Sequence, residues 1–230
     1  LTFDDGTQDQ FEVAVPMLDQ LGLKATFFII TGPRRSGVWM DGRHARRVFD
    51  WEDAVQIAVH GHEIGSHGVS HSDLRRLSWN GRGDIIEDEL KDSRDEIVQN
   101  IPHEYLPGGA LLSFSWPYWR STSQLEQKAQ QYYLVGRSGR GAFPLRAVRQ
   151  PLAVHSCRVL TADSTEMWRY QIETVKESGG WLLFSLHGVD NRKMDEQSIG
   201  WQPLTVEKFR SLLHMVNTDD LWTAPFGTVY

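Results

Sequence analysis

The feature that most narrows what this chain can fold into is a repeated change of hydrophobic period. Short apolar runs rich in β-branched and aromatic residues alternate with stretches of helical spacing along its 230 residues. Residues 1–3 read as a strand, and residues 11–21 carry helical spacing at Phe11, Val15, Leu18 and Leu21. Residues 24–30 predict a buried strand, and 50–59 a helix opened by an Asp cap. Residues 63–65 make a short strand, and 84–99 a charged amphipathic helix. The alternation continues with strands over 112–114, 133–135, 181–186 and 221–224 and helices over 123–132, 165–177 and 205–216. Repeated strand-then-helix units require parallel strands with helices outside. About seven such units favour a barrel over an open sheet. The chain is therefore read as one α/β domain over residues 1–230. It opens at Leu1 inside a strand, which reads as a trimmed N-terminal strand.

Composition removes several classes of function. The net charge of −6, with scattered lysines and arginines, argues against a nucleic-acid partner. The longest apolar stretches, 25–30 and 181–186, are too short to span a bilayer, so no transmembrane segment is expected. Arg34-Arg35 and the arginines of 43–47 read as a solvated loop and helix face. Cys157 stands alone, which excludes an internal disulfide. Oligomeric state is left open.

In a parallel barrel the chemistry sits on loops at the carboxyl ends of the strands. Asp4 and Asp5 follow one strand, His67 a second, Tyr118 a third and His187 a fourth. His67 and His71 are four residues apart, a spacing that puts both imidazoles on one face of a helical turn. Two imidazoles and one carboxylate make a three-ligand metal set with positions left for water and substrate. Taken singly, each residue also has a plainer reading. Adjacent aspartates before a glycine make turns, and a histidine ending an apolar strand can be a core residue. His44, His60, His62, His103, His155 and His214 join no pattern and are read as structural.

Together, Thr2-Phe3-Asp4-Asp5-Gly6, His67-x-x-x-His71, Ser115-Trp116-Pro117-Tyr118 and Ser185-Leu186-His187 resemble the motifs of carbohydrate esterase family 4 polysaccharide deacetylases, the NodB-homology domain. The resemblance implies a distorted (β/α) barrel of seven or eight strands. It also implies metal-dependent removal of acetyl groups from poly- or oligosaccharides. By the same resemblance Asp5, His67 and His71 hold one divalent ion, zinc or else cobalt or nickel. Asp4 is the base, His187 the acid, and the backbone N–H of Tyr118 helps hold the oxyanion. N-acetylated glycans are the preferred substrate, and a secreted or cell-envelope location follows. An acetylxylan-type O-acetyl esterase is the alternative. A catalytically inactive glycan-binding barrel, or a metal-free domain in which the histidines only stabilise, are further readings.

The chain departs from the family pattern in four places. Ser115 stands where the third motif begins with arginine, and Arg137 is the expected replacement guanidinium for tuning Asp4. The fourth motif survives loosely as Ala162-Asp163-Ser164 with Trp168 after it. Gly68 stands where Ser or Thr is common, which loosens support for His67. Ser185 replaces a leucine, leaving Trp116, Trp168 or Leu186 to hold the acetyl methyl beside Pro117. The loops 32–49 and 188–203 are expected to shape the substrate groove.

Overall fold

A computed structural model describes every residue except 111–112, 140–142, 144, 146–147 and 193–199. Its strands are β1 (Thr2–Asp5), β2 (Thr26–Ile29), β3 (Val38–Asp41), β4 (His44–Arg47), β5 (Glu63–Ser66), β6 (Ser113–Ser115), β7 (Val135–Ser138), β8 (Val154–His155), β9 (Cys157–Arg158) and β10 (Phe184–Leu186). Helices α1 (Val15–Gln20), α2 (Trp51–Val59), α3 (Leu74–Trp79), α4 (Gly83–Asn100), α5 (Ser123–Ala129), α6 (Thr165–Ser178), α7 (Val206–Val216) and α8 (Phe226–Val229) complete the described elements of that kind. Side chains of Asp50, Asp73, Thr122, Ser164 and Thr205 cap α2, α3, α5, α6 and α7 by accepting a backbone N–H of the first turn.

Eight strands form one parallel sheet in the order β8-β7-β6-β5-β2-β1-β10-β9. Its two outermost strands, β8 and β9, are separated in the chain only by Ser156. One extended segment therefore leaves the edge of β7 and arrives at the edge of β10. The sheet curls into a nearly closed, distorted (β/α) barrel.

Alternation along each strand sorts side chains between lumen and helices. On β1, Phe3 faces outward, stacking on Phe27 and meeting Phe209 of α7 edge-on. Asp4 faces inward and pairs with Arg137 of β7, with three strands between them along the sheet, so this contact crosses the lumen. The lumen is layered. Asp4, Ser115, Arg137 and Ser185 lie at the carboxyl end, with Phe28, Val135, Val154 and Leu183 packed together below. Thr26, Glu63 and Ser113, at the amino ends of their strands, close the bottom with α8. The N–H of Phe226 donates to Thr26 Oγ1 at 2.7 Å, and that of Gly227 to Glu63 Oε2 at 2.8 Å. Phe226 is buried as a plug against Phe28 and Trp181.

Several expectations are corrected. Residues 221–224 form no strand; they lead into α8, whose N-terminal N–H groups need the barrel floor as acceptors. The strand expected at 133–135 runs later, at Val135–Ser138, which brings Arg137 into the strand itself. The start of the strand expected at 112–114 lies outside the described residues, and Ser113–Ser115 is strand. Residues 43–47 form half of an antiparallel hairpin, β3–β4, instead of a helix face. Arg34 and Arg46 are buried, not solvated. His67 and His71 sit on a loop after β5, not on a helical turn.

Because α8 fills the lumen floor with one large apolar side chain, Phe226→Ala is expected to destabilise by about 3–5 kcal/mol. Urea unfolding should show a lower midpoint with unchanged slope. A shift below about 1 kcal/mol would mean that the plug is dispensable.

Candidate metal centre and active site

The end of β1 is bent sharply so that two carboxylates reach the rim. Asp5 (φ 77°) and Gly6 (φ 69°) are both left-handed. A Cβ on Gly6 would lie 2.9 Å from the Arg34 guanidinium, so only glycine fits. Arg34 in turn donates to the carbonyls of Asp5 (2.9 Å), Gly6 (2.8 Å), Ile30 (2.8 Å) and Phe49 (2.6 Å), locking the bend.

His67 follows β5. Its Nδ1 lies 2.7 Å from the Ser115 carbonyl, which can only accept, so Nδ1 carries the proton and Nε2 presents its lone pair. His71 follows on the same loop with φ 61°. Glu89 of α4 braces that loop, accepting the N–H groups of Val69 (2.8 Å) and Ser70 (3.1 Å) and the Ser70 hydroxyl. A Cβ on Gly68 would lie 2.7 Å from the same Glu89 carboxylate. The expected loosening at Gly68 is therefore corrected: glycine there admits the brace.

The Nε2 atoms of His67 and His71 each lie 3.6 Å from Asp5 Oδ1. That oxygen is buried with no hydrogen-bond partner among the described residues. Two donors at about 2.1 Å from one tetrahedral ion stand ~3.4 Å apart, close to this spacing. These three are the set of described residues able to share one cation. Electrostatics agree. Burial, with the neighbouring charges of Asp4 and Asp41, raises the Asp5 carboxyl well above the usual range. Burial lowers His67 to about 4 and His71 to about 3, so both imidazoles are neutral at pH 7, the state that binds metal.

Asp4 has the opposite setting from its neighbour. Burial opposes its charge, but Arg137, then His67 and His187, hold its carboxyl below the usual range. Both carboxylate oxygens accept from Arg137 Nη2, which also bonds Ser115 Oγ. Arg137 Nη1 reaches Ser185 and Ser156. The two serines that replace bulkier family residues thus make room for, and solvate, a guanidinium from a different strand. His187 Nε2 stands 3.8 Å from Asp4 Oδ2, and burial lowers this imidazole to about 4.

These groups line a pocket of about 230 Å³ with Trp39, Asp41, Tyr118, Trp119 and Trp201. Tyr118 is half exposed on the rim, its ring 4.7 Å from that of His71. Trp119 and Trp201 flank His187 at 5.4 and 5.0 Å. The other expected residues do not join them. Trp116 is buried, its indole donating to the Leu152 carbonyl at 2.6 Å, and Pro117 is buried beside it. Trp168 is buried on the core face of α6, and Leu186 is likewise core. Asp163 ties a turn outside the pocket, accepting the Leu160 N–H at 2.7 Å. The pocket's aromatic walls were legible only as the loops 32–49 and 188–203, which supply Trp39 and Trp201; part of the second, 193–199, lies outside the described residues. A cavity of about 350 Å³ at the barrel's opposite end, lined by Leu1, Trp181 and Trp222 among others, contains none of these groups.

Residues 1–135 match the family model of polysaccharide deacetylase. The chain belongs to that family. Among polysaccharide deacetylase relatives, the Bacillus subtilis (strain 168) protein YxkH is 31% identical over 179 residues, covering 76% of this chain and 56% of that protein. A chitin deacetylase from Pestalotiopsis sp is 34% identical over 82 residues, 35% of this chain and 24% of its own length. The chain thus spans about half or less of the length of these relatives. The solved structure of Streptococcus pyogenes deacetylase PplD in complex with acetate superposes with a TM-score of 0.58 at 26% identity, covering 72% of this chain and 66% of that one. No helix among the described residues is long and apolar enough to cross a membrane.

The raised carboxyl of Asp5 carries a stability consequence for the metal-free protein. A group whose folded pKa lies above its unfolded value stabilises below the unfolded pKa, and that contribution is lost as pH rises through the folded one. In the presence of chelator, the thermal midpoint of Asp5→Asn should therefore exceed the parent's by a margin that widens from about pH 4 to pH 7. Added zinc should raise the parent's midpoint and leave the variant's where it was. A constant margin across that range would contradict the raised carboxyl of Asp5.

Proposed function

We propose that this chain is the catalytic domain of a metal-dependent hydrolase that removes acetyl groups from N-acetylated poly- or oligosaccharides. The observation that carries the reading is the pairing of opposites on β1. One carboxylate is held ionised by Arg137, and its neighbour is held without a partner facing two neutral imidazoles. Asp5, His67 and His71 would hold one divalent ion; their nitrogen and oxygen donors suit zinc, with cobalt or nickel as substitutes. When bound, that ion supplies Lewis acidity, polarising the acetyl carbonyl and making water a nucleophile near neutral pH.

The chain's own residues would do the rest. Asp4, ionised at neutral pH, accepts a proton from the attacking water at Oδ2. His187 Nε2, 3.8 Å from that oxygen, is neutral at rest, so it can receive the proton and pass it to the leaving nitrogen. Negative charge developing on the substrate favours its protonated form during that step. The backbone N–H of Tyr118 is the proposed donor to the oxyanion. Trp39, Trp119 and Trp201 offer apolar faces of the kind that pack on sugar rings. They replace Trp116, Trp168 and Leu186 as the proposed walls for sugar and acetyl methyl. The chitin deacetylase among the relatives supports an N-acetylated substrate. Such glycans lie outside the membrane, which supports a secreted or cell-envelope location.

Acetate release from chitooligosaccharides and from acetylated xylan, with and without chelator, tests the proposal. Chelation should abolish release and zinc should restore it. Asp4→Asn should lower kcat by about 10²–10⁴, and Arg137→Ala by about 10–100-fold. His187→Ala should suppress amide cleavage more than ester cleavage, because an alkoxide leaves more readily than an amide anion. Full activity in chelator, or in Asp4→Asn, would sink the mechanism. Release from xylan alone would favour the esterase.

A further inference from the structure

Two buried polar residues behind the pocket have no part in the chemistry above. Asp9 and Gln10 sit where the chain leaves the rim and enters a π-helical turn (Gln10–Ala14), and both are fully buried. Gln10 Nε2 donates to two carbonyls at once, Asp4 O and, at 2.7 Å, His187 O. Only the NH₂ end of the amide can satisfy two acceptors, so its orientation is set by chemistry. Asp9 accepts the N–H of Val189 at Oδ2 (2.7 Å) and the N–H of Gly200 at Oδ1 (3.0 Å). Gly188 and Gly200 touch there: a Cβ on Gly200 would lie 2.7 Å from Gly188 N. The segment that leaves His187 and returns at Trp201 is thus pinched at its base.

The need for such a tie can be read from the ladder. β1 and β10 pair only at Thr2↔Ser185 and Phe3↔Leu186. Asp4 and His187 are the next residues on each strand, just beyond the last paired rung. The pairing stops one residue short of them, and the Gln10 amide bridges their two carbonyls instead. The clip is also costly to the fold. Gln10 Oε1 is buried without a partner among the described residues, and burial pushes the Asp9 carboxyl up to about 7. Such features persist where function holds them.

We propose that Asp9 and Gln10 are positioning residues. Gln10 sets the spacing of Asp4 and His187, and Asp9 seats Trp201 against the His187 ring. This rests on the reading of Asp4 and His187 as the proton-transfer pair. Neither side chain lines the pocket, so both act through the residues they hold.

The variants Gln10→Met, close in shape but without a donor, and Asp9→Ala separate the two halves. With chitooligosaccharide, Gln10→Met should lower kcat about tenfold or more and leave KM within about twofold, as supporting partners of a site usually do. Asp9→Ala should raise KM about fivefold or more, through displacement of Trp201. Both should bind zinc within about twofold of the parent, because Asp5, His67 and His71 are untouched. The NMR signals of the His187 ring should move in Asp9→Ala as the Trp201 ring current is lost, with those of His67 and His71 unchanged. Parental kcat and KM in both variants, or losses matched by equal losses of zinc affinity or folded fraction, would overturn the clip. If Asp9→Ala does not fold, Asp9→Asn, which retains one acceptor, takes its place with the same readouts. A parent that releases no acetate would defeat the hydrolase reading alone. The His187 signals then decide the clip, and unmoved signals in the Asp9 variant reject it.

Discussion

A guanidinium sealed inside a barrel must be neutralised where it stands, and the pairing of Arg137 with Asp4 across the lumen does this. Much else follows from it. Burial raises the adjacent Asp5 carboxyl, the charge of Asp4 raises it further, and Arg137, committed to Asp4, counters little of either. Two carboxylates one residue apart are thereby driven in opposite directions, one toward a permanent charge and the other toward needing a cation. The serines at 115, 156 and 185 accept from the two terminal nitrogens of Arg137, because a guanidinium carries five donors and a single carboxylate cannot satisfy them all.

Much of the architecture was legible in the chain itself. Period changes marked helices α2, α4, α6 and α7 to within one residue at each end, and strand-helix alternation implied the parallel barrel. Motif residues that sit directly at strand ends, Asp4, Asp5, His67 and His187, converged as strand order requires. What stayed hidden depends on contacts that leave no local pattern. The β3–β4 hairpin reads as a basic loop because Arg43, Arg46 and Arg47 crowd a segment, 43–47, whose only apolar residue is Ala45, and Arg46 is buried only by tertiary packing. Residues 221–224 have strand propensity, but they lead into α8, whose first N–H groups bond Thr26 and Glu63 at the barrel floor. Trp116 and Trp168 are core, while Trp119 and Trp201 are walls; four identical side chains differ only by the direction their backbone gives them. Arg137 was the exception. A missing arginine in one motif pointed to a replacement elsewhere, and a guanidinium at the right depth in the lumen is what the strand supplies.

Backbone conformation carries a second signature of the pocket. Among described non-glycine residues, left-handed backbone occurs at Asp5, His71, Tyr118, Trp119 and Gln202. All but the last line the pocket. Such conformations cost roughly 1–3 kcal/mol each and survive only where surroundings over-determine them. Arg34 does so for Asp5, and Glu89 for the loop bearing His71. A Cβ at Gly139 would collide with Trp119 Cβ at 2.4 Å, so the glycine opposite Trp119 is part of the same accommodation. The rim is thus held by side chains that reach across from other segments, Arg34 from the turn after β2 and Glu89 from α4.

The join at Ser156 gives the cylinder an unusual seam. Two-residue staves on either side of it belong to a single run of chain that merely changes neighbours, and the hydroxyl at the changeover accepts from Arg137 while donating to the Ser138 carbonyl. Whether such a molecule is said to have seven staves or eight is therefore a matter of how that run is divided. A change of circumference there would fall opposite β5 and β2, while the bond from Arg137 to the Ser156 hydroxyl ties the seam to Asp4 across the lumen.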